Sequence, residues 1–336
     1  MTTTPFAACR DGIGRVLRAP AILAGVWLLT LVVSLPLALG LRSMLEQHLG
    51  SSLAADTAVS GVNYDWWQEF DDQATGLGVT FKPTIIGFGA VLDNLSAFLD
   101  NDRRPVVIVG AAAAYIALWI FLAGGIIDRY ARGHATRASG FFAACGVFFF
   151  RFVRLGVVMG IVYWFLFRYV HGYLFDTLYP RLIREVSVER TAFVMRAGLY
   201  LIFGLLVGAC NLVFDYAKVR AVVEDRHSMI GAVGAALRFV RRNAGAAIAL
   251  YAIDVMLFGV ALAAYAAVAP GAGAGGWSVW SGLAVGQAYI LARLFVKLVF
   301  WASETSLFQG RLAHAGYVAA PKPVWPESPA AEAIAR

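Results

Sequence analysis

Six long apolar stretches follow one another along the chain, separated by segments that carry most of the charged residues. Each stretch is close to the roughly 20 residues that an α-helix needs to cross the hydrocarbon core of a bilayer. The pattern predicts an all-α polytopic membrane protein whose six transmembrane helices occupy Ala21–Leu41, Pro105–Ile127, Leu155–Phe175, Ala197–Phe214, Ala244–Ala269 and Ser281–Ser303. No small-residue cleavage pattern follows a short apolar core near the N-terminus, so we expect the first stretch to be a retained helix.

An Arg-apolar-apolar-Arg motif precedes the first, third and fifth stretches. Its three copies run from Arg15 to Arg18, from Arg151 to Arg154 and from Arg238 to Arg241. The residues around each copy place apolar side chains at helical spacing, which allows two interpretations. Each segment is either an amphipathic helix lying in the membrane interface or an inward extension of the following span. The repetition favours the first interpretation, with three units of one interfacial helix and one transmembrane hairpin.

The longest connection, residues 42–104, is acidic overall and longer than connections usually are. Within it, Trp66 and Trp67 are typical of interfacial anchors, with a ligand platform as the alternative. An apolar face at helical spacing then predicts an amphipathic helix after Pro83, formed by Ile85, Ile86, Phe88, Val91, Leu92, Leu95, Phe98 and Leu99. The chain is expected to form one membrane domain, residues 1–318, and a flexible proline-rich tail, residues 319–336.

Composition and charge agree with a membrane protein. The 336 residues are 60% hydrophobic and 15% charged, where soluble domains carry about 25% charged residues. The net charge of +7 arises from basic residues beside the spans, which indicates membrane topology and anionic lipid contact and argues against nucleic-acid binding. Because these residues concentrate before spans one, three and five, we expect a multi-pass protein of a bacterial inner membrane with both termini cytoplasmic. The connection Asp176–Arg196, which contains four arginines, is the exception.

Three ionisable residues fall inside the last two predicted spans. Asp254 and Arg293 each lie ten residues from the predicted cytoplasmic end of their span, so they are expected at one depth, where they can meet. Lys297 lies on the same helix face as Arg293, one turn nearer the cytoplasm. Charges at membrane depth are costly unless paired or hydrated. Two interpretations remain open: a structural ion pair, or a polar path on which one acid facing two bases would suit an anion.

Sequence signatures of enzymes and cofactors are absent. The chain has no HExxH, GxSxG, P-loop or dinucleotide-binding glycine pattern, and its three cysteines show neither a CxxC nor a Cys/His metal spacing. We therefore expect no catalytic residue, no metal and no cofactor.

A resemblance rests on Asp215-Tyr216-Ala217-Lys218, followed by Glu224-Asp225 and then by Arg238-Phe239-Val240-Arg241-Arg242-Asn243 before a span. Over residues 110–300 this pattern resembles bacterial multi-pass membrane domains that occur fused to glycerophosphodiester phosphodiesterases, and their stand-alone uncharacterised relatives. The resemblance implies a six-span membrane fold and carries over no catalytic residue.

The expected function is non-enzymatic. The first hypothesis is a scaffold or an accessory subunit of an envelope complex, which would contact anionic lipids through the motif arginines and could bind a protein partner. The alternative is a transporter of a small anionic solute or a lipid-linked anion through the polar site of the last hairpin.

Overall fold

The computed structural model describes residues 3–50, 52–60, 63–82, 84, 87–102, 105–271 and 276–312, and this part of the chain contains helices and no strands. The helices are, in chain order, α1 (Pro5–Leu17), α2 (Pro20–Leu49), α3 (Ala55–Ser60), α4 (Tyr64–Gln73), α5 (Phe88–Leu99), α6 (Val106–Arg132), α7 (Ala138–Phe165), α8 (Tyr179–Leu182), α9 (Glu189–Val223), α10 (Met229–Arg242), α11 (Ala244–Val268) and α12 (Trp277–Arg311). Six helical stretches are long and apolar enough to cross a membrane: α2, α6, α7 through α8, α9, α11 and α12. The predicted six-span, all-α fold is confirmed.

The third span is one continuous helix of 45 residues, from Ala138 to Leu182. Two π-helical segments, Leu166–His171 and Tyr173–Leu178, join α7 to α8. For the segment around the second motif copy, Arg151 to Arg154, the inward-extension interpretation is therefore the correct one. No helix-ending residue follows Arg154, whereas α2 begins with Pro20 after α1, and the non-helical Asn243 separates α10 from α11. One of the three predicted units thus lacks a separate surface helix.

Helix α1 packs along the end of α12. Thr3 lies beside Gly310 and Gly12 beside Ser303, so the two helices are antiparallel. A Cβ atom at Gly12 would lie 2.7 Å from the backbone nitrogen of Ser303, and only glycine permits this approach. Asp11 accepts a hydrogen bond from Ser306 Oγ at 2.7 Å. Helix α1 is consequently part of the core.

The main core lies at one end of the bundle, which we call the α1 end. Most buried side chains of α6 fall between Trp119 and Ala131, and those of α12 fall between Leu294 and Phe308. At the opposite end, the α5 end, large apolar side chains such as Val106, Leu201 and Trp277 are exposed. Exposed apolar side chains of this size and number suit contact with lipid and not with water.

The connection between α2 and α6 forms its own small cluster. Trp66 is buried against His48 and Phe70, and its indole N–H donates to His48 Nδ1 at 2.9 Å. The indole of Trp67 donates to the carbonyl of Phe81 at 2.9 Å. Both tryptophans therefore stabilise this connection, and Trp66 does not project outward as an anchor.

Helix α5 occupies the segment in which an amphipathic helix was predicted, and none of its residues is buried. Ile85 and Ile86 of the predicted apolar face lie outside the described residues, as does the predicted tail, residues 319–336.

Candidate functional site: a polar column between α9 and α12

Polar side chains occupy one face of α12 along most of its length. Tyr289, Arg293, Lys297, Glu304 and Arg311 are spaced by four, four, seven and seven residues, which places them on one helix face. Tyr289 and Arg311 are 22 residues apart (311 − 289), or about 33 Å at 1.5 Å per residue. This stripe is as long as the hydrocarbon core of a bilayer is thick, about 30 Å.

A second polar stripe, on α9, faces the first. It consists of Asn211, Asp215 and Lys218, again at helical spacing. The ammonium groups of Lys218 and Lys297 lie 5.5 and 5.8 Å from the ring centre of Trp301, so both helices converge on this indole. We call the facing residues, Arg293, Lys297 and Glu304 of α12 with Asn211, Asp215 and Lys218 of α9, the polar column.

The three bases of the column differ in whether they form an ion pair. Lys218 Nζ lies 2.6 Å from Asp215 Oδ1 and forms an ion pair. Lys297 makes no ion pair with any described residue, and its ammonium lies 3.3 Å from the ring centre of Trp119. Arg293 is exposed and likewise has no ion-pair partner in the described ranges. The cation–π contacts of Lys297 stabilise its charge without neutralising it.

Neighbouring helices extend the polar layer around Asn211. The hydroxyl of Tyr163 on α7 donates to Asn211 Oδ1 at 2.5 Å. Tyr251 of α11 lies close to the same amide side chain. Four elements, α7, α9, α11 and α12, therefore contribute polar groups to this level of the bundle.

Two carboxyl groups are buried at the α1 end of the column. Glu304 is 1% exposed, and neither of its oxygens has a hydrogen-bond partner in the described part of the chain. Asp254 is fully buried, and its Oδ2 accepts a hydrogen bond from Ser303 Oγ at 2.7 Å. Its Oδ1 accepts none from a described N–H or O–H group. The Cys9 thiol lies near Asp254. Its burial and, to a smaller extent, the charge of Asp254 raise the pKa of this thiol to about 11.

The structure does not pair Asp254 with Arg293 or Lys297. The apolar pattern predicted that the last span ends at Ser303, but α12 continues to Arg311. The longer helix sets a register in which Asp254 contacts Ser303. Arg293 is ten residues before Ser303 (303 − 293), about 15 Å along the helix. The structure adds Asp215, Lys218 and Glu304 to the predicted set of Asp254, Arg293 and Lys297. The site therefore contains three acids and three bases, where the sequence predicted one acid and two bases.

The six motif arginines divide into two groups. Arg15 donates to Asp11, to the carbonyl of Tyr130 and to Gln309 at 2.8–2.9 Å. Arg151 is buried and lies 2.5 Å from Asp225. These two side chains join helices to one another and do not face outward. The other four are exposed, as expected for headgroup contacts: Arg18, Arg154, Arg238 and Arg241.

A separate cavity of about 390 Å³ lies at the α5 end, beside the π-helical segments. Arg196 donates to Asp100 at 2.8 Å, and His171 Nε2 lies 2.7 Å from the carbonyl of Leu99. The hydroxyl of Tyr200 and the Arg196 guanidinium lower the pKa of Asp100 despite its partial burial. The sequence pattern did not predict this cavity, because its lining residues come from distant segments. They are Asp100, Asp102, His171, Phe175, Asp176, Tyr179 and Arg196.

Sequence reasoning also missed Glu304, because it follows the apolar run that defined the last span. The spacing of Arg293, Lys297 and Glu304 on one face was the available signal.

Comparisons of the chain with protein-family models, with curated proteins and with solved structures found no match in any of the three. The resemblance to the membrane domains described above therefore stays a prediction, and the function is inferred from the polar column itself.

Proposed function

We propose that this integral membrane protein carries a small anionic solute across the membrane through the polar column. The observation that supports this function is the convergence of Lys218 and Lys297 on Trp301, with Arg293 one turn from Lys297 along α12. Among the described residues, Lys218 pairs with a carboxylate and the other two bases do not. Ionisable groups at membrane depth are rare, and they mark substrate and ion pathways.

The charge distribution favours an anion over a cation. Arg293 and Lys297 have no ion-pair partner among the described residues, and a positive charge that is partly withdrawn from water, as at Lys297, is costly when unpaired. A bound anion would offset this cost. Arg293 is 16 residues from Trp277 (293 − 277) and 18 from Arg311 (311 − 293), which places it near the middle of α12. Transporters commonly bind their substrates near the middle of the membrane.

Tracer uptake into proteoliposomes tests the proposal, with chloride, sulfate, acetate and inorganic phosphate as separate probes. The Lys297→Gln variant removes the ammonium while keeping a side chain of similar length. We expect it to lower the uptake of the transported anion roughly tenfold or more, equivalent to about 1.4 kcal/mol. Lys82→Gln is the matched control, because Lys82 is an exposed lysine outside the spans.

Two results would contradict transport. The first is that none of the four anions is taken up faster than by protein-free vesicles. The other is equal uptake by the wild type and by the Lys297→Gln variant.

A second candidate function, contact with anionic lipids in a scaffold role, is favoured by the surface of the α1 end. Arg18 and Arg238 are exposed next to the exposed side chains of Leu17 and Leu237, and Arg154 donates to the carbonyl of Phe150, whose ring is exposed. Exposed arginines beside exposed apolar side chains are typical of the headgroup region. Each such arginine contributes about 1 kcal/mol to the binding of anionic lipid.

Lipid retention distinguishes this role. We expect native mass spectrometry of protein extracted from phosphatidylcholine–phosphatidylglycerol vesicles to show bound phosphatidylglycerol, and the Arg238→Gln/Arg241→Gln double variant to retain less. Arg42→Gln/Lys82→Gln is the control, because both residues are exposed outside the α1 end. Equal retention by the two double variants would count against a lipid site on α10.

A further inference from the structure

Glu304 is a buried acid whose carboxyl group has no hydrogen-bond partner among the described residues. Its carboxyl group is 1% exposed, and neither oxygen accepts a hydrogen bond from a described residue. An ionised carboxylate buried in this way costs several kcal/mol, whereas the protonated group is neutral.

Titratable groups of at least three helices lie close enough to Glu304 to interact with it electrostatically. Asp215, Tyr216 and Lys218 belong to α9, and Asp254 and Tyr251 belong to α11. On α12 itself, the charged groups of the same face are Arg311 and Lys297. Lys218 is already paired with Asp215 at 2.6 Å, and the carboxyl groups of Asp215 and Asp254 oppose a further negative charge nearby.

We infer that Glu304 is a proton-binding site and that its proton moves together with the anion carried by the column. The second part of this inference rests on the proposed transport function. An anion bound at Lys297 and Lys218 neutralises the bases that would otherwise favour ionised Glu304. Anion and proton therefore strengthen each other's binding, and this coupling is reciprocal.

A proton fits this site better than a metal cation does. A hard cation such as Ca²⁺ takes six to eight oxygen ligands, and even the smaller Mg²⁺ demands a near-octahedral set. The described residues contain no group of three or more His, Cys, Asp or Glu side chains placed to hold a metal ion. The hydroxyl of Ser303, next to Glu304, is already engaged with Asp254 and with the carbonyl of Phe300.

Infrared spectroscopy of the protein in lipid vesicles tests proton binding without any transported anion. We expect the wild type at neutral pH to show the carbonyl band of a protonated carboxyl group, shifted by transfer into D₂O. The Glu304→Gln variant should lose this band or most of it. The control, Glu46→Gln, changes an exposed glutamate paired with Arg42 and should keep the band.

The inference is overturned if the wild type lacks a protonated-carboxyl band, a result that needs no variant to fold. The inference is also overturned if the folded Glu304→Gln variant keeps the band unchanged. Loss of the band in the Asp254→Asn variant would assign the proton to Asp254. Sodium-dependent loss of the wild-type band would identify a metal cation as the ligand and reject the proton.

Proteoliposomes that contain a pH-sensitive dye then test the coupling. With the anion that the wild type carries, we expect inward anion movement to acidify the vesicle interior. Glu304→Gln should still exchange anion for anion while the acidification is lost. If no anion is carried, the transport function fails while the infrared result still decides whether Glu304 binds a proton. Equal acidification by wild type and variant rejects the coupling alone.

Discussion

At the residue scale, Asp254 and Lys297 are each stabilised by a neutral group and not by an opposite charge. Asp254 is stabilised by a neutral hydroxyl, Ser303 Oγ, and Lys297 by the faces of Trp119 and Trp301. Within the polar column, Lys218 and Asp215 form a direct ion pair. Unpaired bases with aromatic neighbours keep their charge available to a ligand, which a closed ion pair does not.

This arrangement predicts the behaviour of Asp254 variants. Asp254→Asn should lower the free energy of unfolding by only about 1 kcal/mol, because Ser303 can still donate to the amide oxygen and no base loses a partner. Adding Arg293→Gln should not restore stability. Thermal unfolding in detergent measures both effects, with Ser303→Ala as a comparison that leaves the buried carboxylate without its donor. Restored stability in the Asp254→Asn/Arg293→Gln variant would show that Asp254 and Arg293 interact, contrary to the register of α11 and α12.

At the element scale, the α5–α6 connection is fixed to the start of α9 by one carboxylate. Asp100 accepts hydrogen bonds from Arg196, Tyr200 and Ser96. These donors lower the pKa of Asp100, with the Tyr200 hydroxyl as the largest cause. The contact closes one side of the cavity at the α5 end.

The lowered pKa of Asp100 predicts an acid-dependent contribution to stability. Because the pKa of Asp100 is lower in the folded state, its ionised carboxylate stabilises the protein at pH values above 3.8, the ordinary pKa of Asp. This stabilisation is lost as the pH falls through the lower pKa of the folded state. Asp100→Asn should therefore reduce the unfolding temperature at neutral pH, and its deficit relative to wild type should shrink at the most acidic pH. The effect should stay below about 1 kcal/mol, because the side chains of Arg196 and Asp100 are 47% and 30% exposed.

Unfolding temperatures of wild type and Asp100→Asn, compared between about pH 3 and pH 7, measure this contribution. Asp102→Asn is the control, because Asp102 lines the same cavity while its carboxylate accepts no hydrogen bond from a described residue. A deficit of Asp100→Asn that is constant across this pH range would be inconsistent with a lowered pKa.

At the scale of the whole molecule, one end of the bundle is packed and the other is open to lipid. Helices α1 and α10 add buried surface at the α1 end, where Phe239 of α10 contacts Tyr216 and Phe308. The described termini both lie at this end, because α1 packs along the end of α12. The exposed arginines of α10 lie there too.

The positive-inside rule then predicts the orientation of the molecule. A cysteine in place of Arg241 should face the cytoplasm, and a cysteine in place of Leu53, whose side chain is fully exposed, should face outward. We expect a membrane-impermeant maleimide to label the Leu53→Cys protein in intact cells and the Arg241→Cys protein only after permeabilisation. The opposite accessibility would place the α1 end outside the cell.

Labelling in detergent provides the control for this measurement, because both introduced cysteines should react there. Cys9 should not interfere, because it is buried and its pKa is raised to about 11, which keeps the thiolate scarce at neutral pH.

The sequence by itself determined the class of this protein, because hydrophobicity and helix length are local properties. Six apolar runs predicted six spans, and a helix begins at Phe88 shortly after Pro83. The same local reasoning could not find the end of the last span. Four consecutive residues in α12 look like the polar end of the last span, yet all four are buried: Ser303, Glu304, Thr305 and Ser306.

Only the tertiary structure decided what these polar residues do. The end of α12 is enclosed by other helices, with α1 beside Ser303 and Ser306 and Phe239 of α10 against Phe308. The helix therefore continues to Arg311, and its register places Asp254 beside Ser303 and not beside Arg293. The approach of α9 then adds Asp215 and Lys218 to the column. These residues of α9, α11 and α12 are distant in sequence, and their contacts depend on how the helices pack. A local sequence pattern contains no information on that packing.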